Sequence, residues 1–200
     1  MAGARLKQFE GNCQRARDLV GLGQSLGSLT QGLVDSSDLF RSALTQAVAA
    51  LDSYIHGVAL DRAVDILMGR IAPARSSTKV GLHFNAVREI FDSRTLVDRE
   101  IAARMHIAQR LALETFQRPD DVGNALAMVG INKVWTLAFP SDIEQTKKSL
   151  GLVVARRNQI VHSCDADPLT AGGVTPMSSQ DALDAVDLVE KIVHAIDKLL

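Results

Sequence analysis

The chain has 200 residues, of which 46% are hydrophobic and only 4% aromatic. This length and apolar content suffice for the core of a single domain without disulfides or metal, and the shortage of aromatic side chains favours helix-on-helix packing over a β-sandwich. A formal net charge of −1 excludes nucleic-acid binding through overall positive charge, so any polyanion site requires a local basic patch.

The cysteines and the spacing of apolar residues bear on the compartment. Cys13 and Cys164 lie far apart in sequence, which is typical of neither a disulfide framework nor a zinc site. Charged residues interrupt the first twenty positions, so they contain no continuous signal-peptide core. Nowhere does an apolar run reach the roughly eighteen residues of a membrane span. We therefore expect a cytoplasmic protein with no membrane partner.

Residues 1–34 are the least regular part of the sequence. Gly21, Gly23, Gly27 and Gly32 weaken a pattern that is otherwise helical. A flexible helix and a loose hairpin both fit this pattern. We treat the segment as an N-terminal helical extension that precedes one helical domain over residues 35–200.

The first part of that domain is predicted to be helical. Residues 35–59 open with two aspartates and carry a long apolar stripe at helical spacing. A second helical segment is expected over 60–69. Pro73 and the Ser-Ser-Thr run at 76–78 then indicate a loop.

The middle of the chain predicts two further helices. Thr95 and Asp98 have the spacing of a capping box, and the apolar residues that follow extend at helical spacing as far as Phe116. Pro119 ends this helix and starts a short one that reaches about Gly130.

The last part predicts two helices separated by a loop. Ser141 and Glu144 form another capping box for a helix ending near residue 165, and proline and glycine residues over 168–176 indicate a loop. Ser178 and Asp181 open the final helix. We expect its acidic face to be solvated, a face made of Asp184, Asp187 and Glu190.

The run Arg157-Asn158-Gln159-Ile160-Val161-His162 is the most chemically specific feature of the sequence. On an ideal helix, Arg157 falls within the apolar stripe of the predicted helix, while Asn158 and His162 are four residues apart and share one face. A buried guanidinium is costly without a partner, so Arg157 requires a carboxylate, an interface or a phosphate ligand.

This run resembles the signature of the HEPN superfamily, in which an arginine followed by a polar residue precedes a histidine by four to six positions. The wider phrase over 155–168 is similar to the RiboL-PSP-HEPN branch, and the resemblance covers residues 35–200. It implies an up-and-down helical bundle of the HEPN type, and a homodimer in which two copies of the motif face each other across a cleft.

The resemblance also implies an activity, which is metal-independent and cofactor-free cleavage of RNA to 2′,3′-cyclic phosphate and 5′-hydroxyl ends. Histidine, with an ordinary pKa of about 6.5, suits general acid–base chemistry at neutral pH, and His162 is the candidate base. Arg157 would stabilise charge on the phosphate through its planar fork, and Asn158 would orient the imidazole or the phosphate.

Weaker candidates surround this motif. Asp52 lies on the polar margin of the first long helix, four residues before His56, where it would pair with Arg157 or orient a histidine. A solvated Asp52–His56 pair fits the pattern equally well. Lys147, Lys148 and Arg156 would line an RNA path, although ordinary surface charge fits them equally well. Cys164, on the apolar stripe, is expected in the core. No clustered ligand pattern supports a metal.

Two functions of different classes follow from the resemblance. The first is an endoribonuclease acting as a toxin, stress or phage-defence effector, with an antitoxin or regulatory protein as a partner. The alternative is a catalytically silent HEPN-type module that dimerises or regulates. A known control of such toxins modifies a tyrosine two residues after the histidine, and Cys164 occupies that position.

Overall fold

The helices follow largely from the apolar periodicity of the sequence. The computed structural model describes residues 2–74, 79–170 and 172–200. Within these ranges the chain forms eight α-helices and no β-strand, so the all-α prediction is confirmed. The helices are α1 (Ala2–Leu29), α2 (Ser37–Leu67), α3 (Phe84–Asp92), α4 (Leu96–Leu111), α5 (Pro119–Met128), α6 (Val134–Ala138), α7 (Ile143–Ser163) and α8 (Ser179–Asp197).

Helix α2 is the central element and packs against α1, α4, α5, α7 and α8. Its apolar residues cover most of its circumference, as expected for a helix surrounded by others. The predicted division near residue 60 is wrong, because the buried stripe continues through Ala63 and Val64. The helix ends in a Schellman motif: Gly69 has φ +73°, and the Arg70 N–H donates to the Asp65 carbonyl at 2.8 Å.

Helix α1 belongs to the same core as the other helices. Phe9, Cys13, Ala16 and Val20 are buried at helical spacing, so residues 2–29 form a packed helix and not a hairpin. At Gly23 a β-carbon would lie 2.6 Å from the Phe40 ring, so this glycine permits the close approach of α1 to α2. The extension is therefore helical and shares its core with residues 35–200.

The four long helices α1, α2, α7 and α8 alternate in direction. Arg5 of α1 contacts Asp61 of α2 at 2.9 Å, near the far end of that helix, and Arg17 of α1 contacts Glu190 of α8. The last turn of α7 lies beside the first turns of α2. Helices α3–α6 are inserted between α2 and α7, and the loop predicted at 76–78 lies outside the described residues.

The helix caps were predicted with mixed success. The Thr95 side chain accepts from the Asp98 N–H, and Ser178 and Asp181 form a complete capping box, as predicted. The box predicted at Ser141 and Glu144 is wrong, because a turn closed by the Asp142 N–H and the Phe139 carbonyl delays the helix start to Ile143.

Two other predictions need correction. Helix α4 ends at Leu111 and not near Pro119, although Phe116 is buried. The acidic face of α8 is only partly solvated, because Arg17 of α1 pairs with both Asp187 and Glu190. Both differences arise from neighbours that are distant in sequence.

Candidate functional site on helix α7

The motif lies where the apolar stripe of α7 leaves the core. Leu150 and Val154 are buried against α2 and its neighbours, whereas Val161, two turns later, is 47% exposed. Cys164 is exposed as well, so its predicted place in the core is wrong. The helix ends there because Cys164 adopts a left-handed conformation with φ +48°. Arg157 therefore marks the boundary between the core and an open helix end.

Arg157 is half-buried and has no carboxylate partner among the described residues. Its Nη1 donates to the Asn158 Oδ1 at 3.1 Å, and its Nε is buried without a hydrogen-bond partner in the described ranges. A desolvated donor left unpaired is unfavourable, and buried polar groups are normally satisfied. The guanidinium thus retains capacity for an anionic ligand.

His162 is exposed in the last turn of α7. Five residues of an ideal helix separate the directions of Arg157 and His162 by about 140°. The structure therefore brings Arg157 and Asn158 together, but one chain alone directs the imidazole and the guanidinium to different sides of the helix.

Asn158 faces a cleft between the start of α5 and α7, which we call the α5–α7 cleft and whose volume is about 540 Å³. Lys147 and Lys148 line this cleft as well, and Lys147 pairs with Asp120 at 3.1 Å. The charges of its wall cancel, because three cations face three carboxylates. The cations are Arg118, Lys147 and Lys148, and the carboxylates are Asp120, Asp121 and Glu144. The two lysines lie beside the motif, but their surroundings are not basic overall.

Arg156 has an internal role. Its Nη2 donates to the Asp165 Oδ2 at 2.7 Å and to the Thr175 and Pro176 carbonyls. The same carboxylate oxygen accepts from the Arg41 Nε at 2.7 Å. These contacts hold the loop after α7, so Arg156 has a structural role in the chain. The RNA-binding role expected for it stays a prediction.

Asp52 is directed away from the motif. Its carboxylate accepts from the Phe116 N–H at 2.6 Å and lies 3.4 Å from the His56 Nδ1, and it makes no contact with Arg157 among the described residues. Burial acts to raise the pKa of Asp52, but hydrogen bonds from His56 and Phe116 lower it overall. Asp52 therefore stabilises the connection between α4 and α5.

His56 makes the stability of the same α4–α5 connection depend on pH. The hydrogen bond to Asp52 raises the pKa of His56 to about 9, against the opposing effect of burial. Because the pKa of His56 is higher in the folded state, the Asp52–His56 pair stabilises the fold fully below pH ~6.5. This stabilisation is lost as the pH rises through 9. Between pH 6 and pH 9.5 we expect the free energy of unfolding to fall by on the order of 2 kcal/mol, after allowing for the partial exposure of His56. Denaturant titrations should show this as a lower midpoint at pH 9.5. A His56→Gln variant should lose this dependence, and an equal fall in both proteins would contradict the assignment.

Sequence reasoning missed the residues around the open end of α7. Arg41, Asp165 and Thr175 form a buried cluster, yet Arg41 and Asp165 are 124 positions apart. No periodic signal reports such a pair, although a lone arginine inside the stripe of α2 is an indication that a partner is needed.

The described residues contain no group of three or more His, Cys, Asp or Glu side chains positioned to hold a metal ion. None of the helices within the described ranges combines the length and hydropathy needed to cross a membrane.

Comparison of the chain with family models, with curated proteins and with solved structures finds no match. The HEPN resemblance therefore stays a prediction that rests on the motif.

Proposed function

We propose that this chain is a HEPN-type endoribonuclease that cleaves RNA without a metal ion. One observation carries the proposal: an exposed histidine and an arginine without a carboxylate partner lie at the same open end of one helix. A role as a toxin, stress or defence effector, and a regulatory partner, rest on the resemblance alone.

The proposed reaction uses only side-chain chemistry. The His162 imidazole removes the proton from a ribose 2′-hydroxyl, and the 2′-oxygen forms a bond to the adjacent phosphorus as the bond to the 5′-oxygen breaks. A second imidazole, in its protonated form, gives a proton to the leaving 5′-oxygen. Arg157 stabilises the charge that accumulates on the phosphate oxygens, and Asn158 holds the guanidinium in position.

A dimer supplies the second imidazole. Because Arg157 and His162 point about 140° apart, a twofold axis beside the last turns of α7 would place one arginine and one histidine from each chain in a shared cleft. Such a cleft would also bring a phosphate to the Arg157 guanidinium, which has no carboxylate partner among the described residues. The dimer and the reaction are thus two parts of one proposal.

Cleavage of RNA is expected to continue in excess EDTA, because the described residues supply no cluster of ligands for a catalytic divalent ion. Purified protein and mixed RNA would be incubated with and without the chelator, and product ends identified as cyclic phosphates. Activity that requires added magnesium would contradict the mechanism. If wild-type protein cleaves no RNA in either condition, the catalytically silent module becomes the better assignment.

Sedimentation is expected to give a dimer in which the two Cys164 residues lie close together, since Cys164 follows His162 by two positions. A short bismaleimide reagent would crosslink them. Cys13 provides an internal control, because burial raises the pKa of its thiol to about 12 and hides it from the reagent. A monomer that cleaves RNA, or a dimer in which Cys164→Ser does not abolish crosslinking, would contradict the proposed arrangement.

A further inference from the structure

A second cavity opens on the other side of the motif helix, between the first turns of α2 and the last turn of α7. We call it the α2–α7 cavity, and its volume is about 590 Å³, within the roughly 300–1,000 Å³ typical of ligand sites. Val161, which precedes His162 and follows Arg157 by one turn, forms part of its wall. A ligand in this cavity would therefore lie next to the motif.

The wall of the cavity combines apolar and polar groups. Ala49, Ile160 and Val174 contribute apolar surface, and Asp38 and Gln46 contribute polar groups. This combination suits a flat ring with polar groups along one edge.

The charges of the cavity do not favour a phosphate as its occupant. Arg41 is the cation in the wall, but its donors are used internally, by Asp165, by Ser37 and Asp38, and by the Thr175 carbonyl. The Asp38 side chain is 91% exposed and accepts from Arg41 through Oδ1, which leaves its second carboxylate oxygen as an acceptor for a ligand. A carboxylate attracts N–H donors and repels phosphate oxygens.

The described parts of the loop after α7, residues 164–170 and 172–178, give the cavity a fixed wall. Asp165 is fully buried and binds both Arg41 and Arg156 through one oxygen. The Thr175 N–H in turn donates to the Asp165 carbonyl at 2.9 Å. Val174 is therefore held against the end of α7, which favours selective binding because little ordering is required.

We infer that the α2–α7 cavity binds the base of a nucleotide next to the scissile phosphate, and that Asp38 and Gln46 select bases with an exocyclic amino group. The inference rests on the proposed function, since it names the substrate feature that the same helix end would recognise. The apolar side chains cover the faces of the ring, and the Asp38 carboxylate accepts from the amino group of guanine, adenine or cytosine. Where cytosine carries its amino group, uracil carries a carbonyl oxygen, which the carboxylate repels.

Binding of single nucleotides tests the inference without turnover. Saturation-transfer NMR with the 3′-monophosphates of guanosine, adenosine, cytidine and uridine should show the three amino-bearing nucleotides binding at least ~10-fold more tightly than the uridine nucleotide. Ala49 is exposed in the cavity wall, so Ala49→Phe should fill the space and abolish binding. Ala112→Phe adds the same ring at an exposed position outside the cavity and should bind normally. Asp38→Asn should reduce the preference over uridine.

The outcomes separate the two proposals. Equal binding of all four nucleotides, or unchanged binding by Ala49→Phe, would overturn the base pocket even if the protein cleaves RNA. Selective binding that Ala49→Phe removes would support the pocket even in a protein that cleaves nothing, and the endoribonuclease proposal alone would fail. Circular dichroism of Ala49→Phe establishes that a loss of binding does not come from unfolding.

Discussion

Replacement of His162 by alanine is expected to lower the rate of RNA cleavage by about 10²–10⁴-fold, the usual contribution of general acid–base catalysis. The imidazole lies exposed at the end of α7, so its removal takes little apolar surface out of the core. Helical content and the thermal midpoint should therefore stay close to those of the wild type. Single-turnover cleavage of one labelled RNA, with circular dichroism on the same samples, measures both quantities.

A matched control comes from His194. It occupies the last turn of α8, as His162 does in α7, and its side chain is 41% exposed. His194→Ala should retain full cleavage activity, so a general effect of losing a helix-terminal histidine would be recognised. Full activity in His162→Ala would refute the catalytic assignment, and loss of its helical content would instead show that His162 is structural.

Arg157 provides a second test of the same chemistry. Arg157→Ala is expected to reduce cleavage by about 10²–10³-fold, as when one oxyanion donor is removed. Its stability should be unchanged or higher, because the wild-type Nε is buried without a partner in the described ranges. Arg157→Lys should restore little activity, since an ammonium group lacks the planar fork. A strongly destabilised Arg157→Ala would argue for a packing role.

Local rules predicted those parts of the fold that depend on neighbours in sequence. The caps at Thr95 and Ser178 need only a side chain and an N–H three residues later, and both form as expected. The start of α7 shows the limit of such rules. A turn closed by the Phe139 carbonyl competes with the predicted cap and shifts the helix start.

The candidate site was predicted only in part, because periodicity gives the face of a helix but not the point at which the core ends. Arg157, Val161 and Cys164 fall on the same stripe as Leu150, yet only the earlier part of that stripe is buried in the core. Arg156 shows a second limit. Its partner Asp165 is close in sequence, but Arg41, which completes the cluster, is not.

Replacement of Asp165 by alanine is expected to lower the free energy of unfolding by about 3–5 kcal/mol, the usual effect of removing one partner from a buried ion pair. Asp165 is fully buried, and its Oδ2 lies 2.7 Å from both the Arg41 Nε and the Arg156 Nη2. Without the carboxylate, the buried Arg41 guanidinium keeps its charge but loses its main counter-ion. Part of the loss comes from the backbone, because Asp165 has φ +57° and alanine disfavours that region.

Two further variants separate these contributions in urea denaturation. Asp165→Asn keeps a residue that tolerates positive φ and removes only the charge, so it should be less destabilised than Asp165→Ala. Asp92→Ala removes a carboxylate from the exposed Arg88–Asp92 pair, in which the Arg88 side chain is 82% exposed and the Asp92 side chain 67%. This variant should lower the free energy of unfolding by at most about 0.5 kcal/mol. If Asp165→Ala is no less stable than Asp92→Ala, the two arginines reach solvent without it, and the loop after the motif is held by its backbone contacts instead.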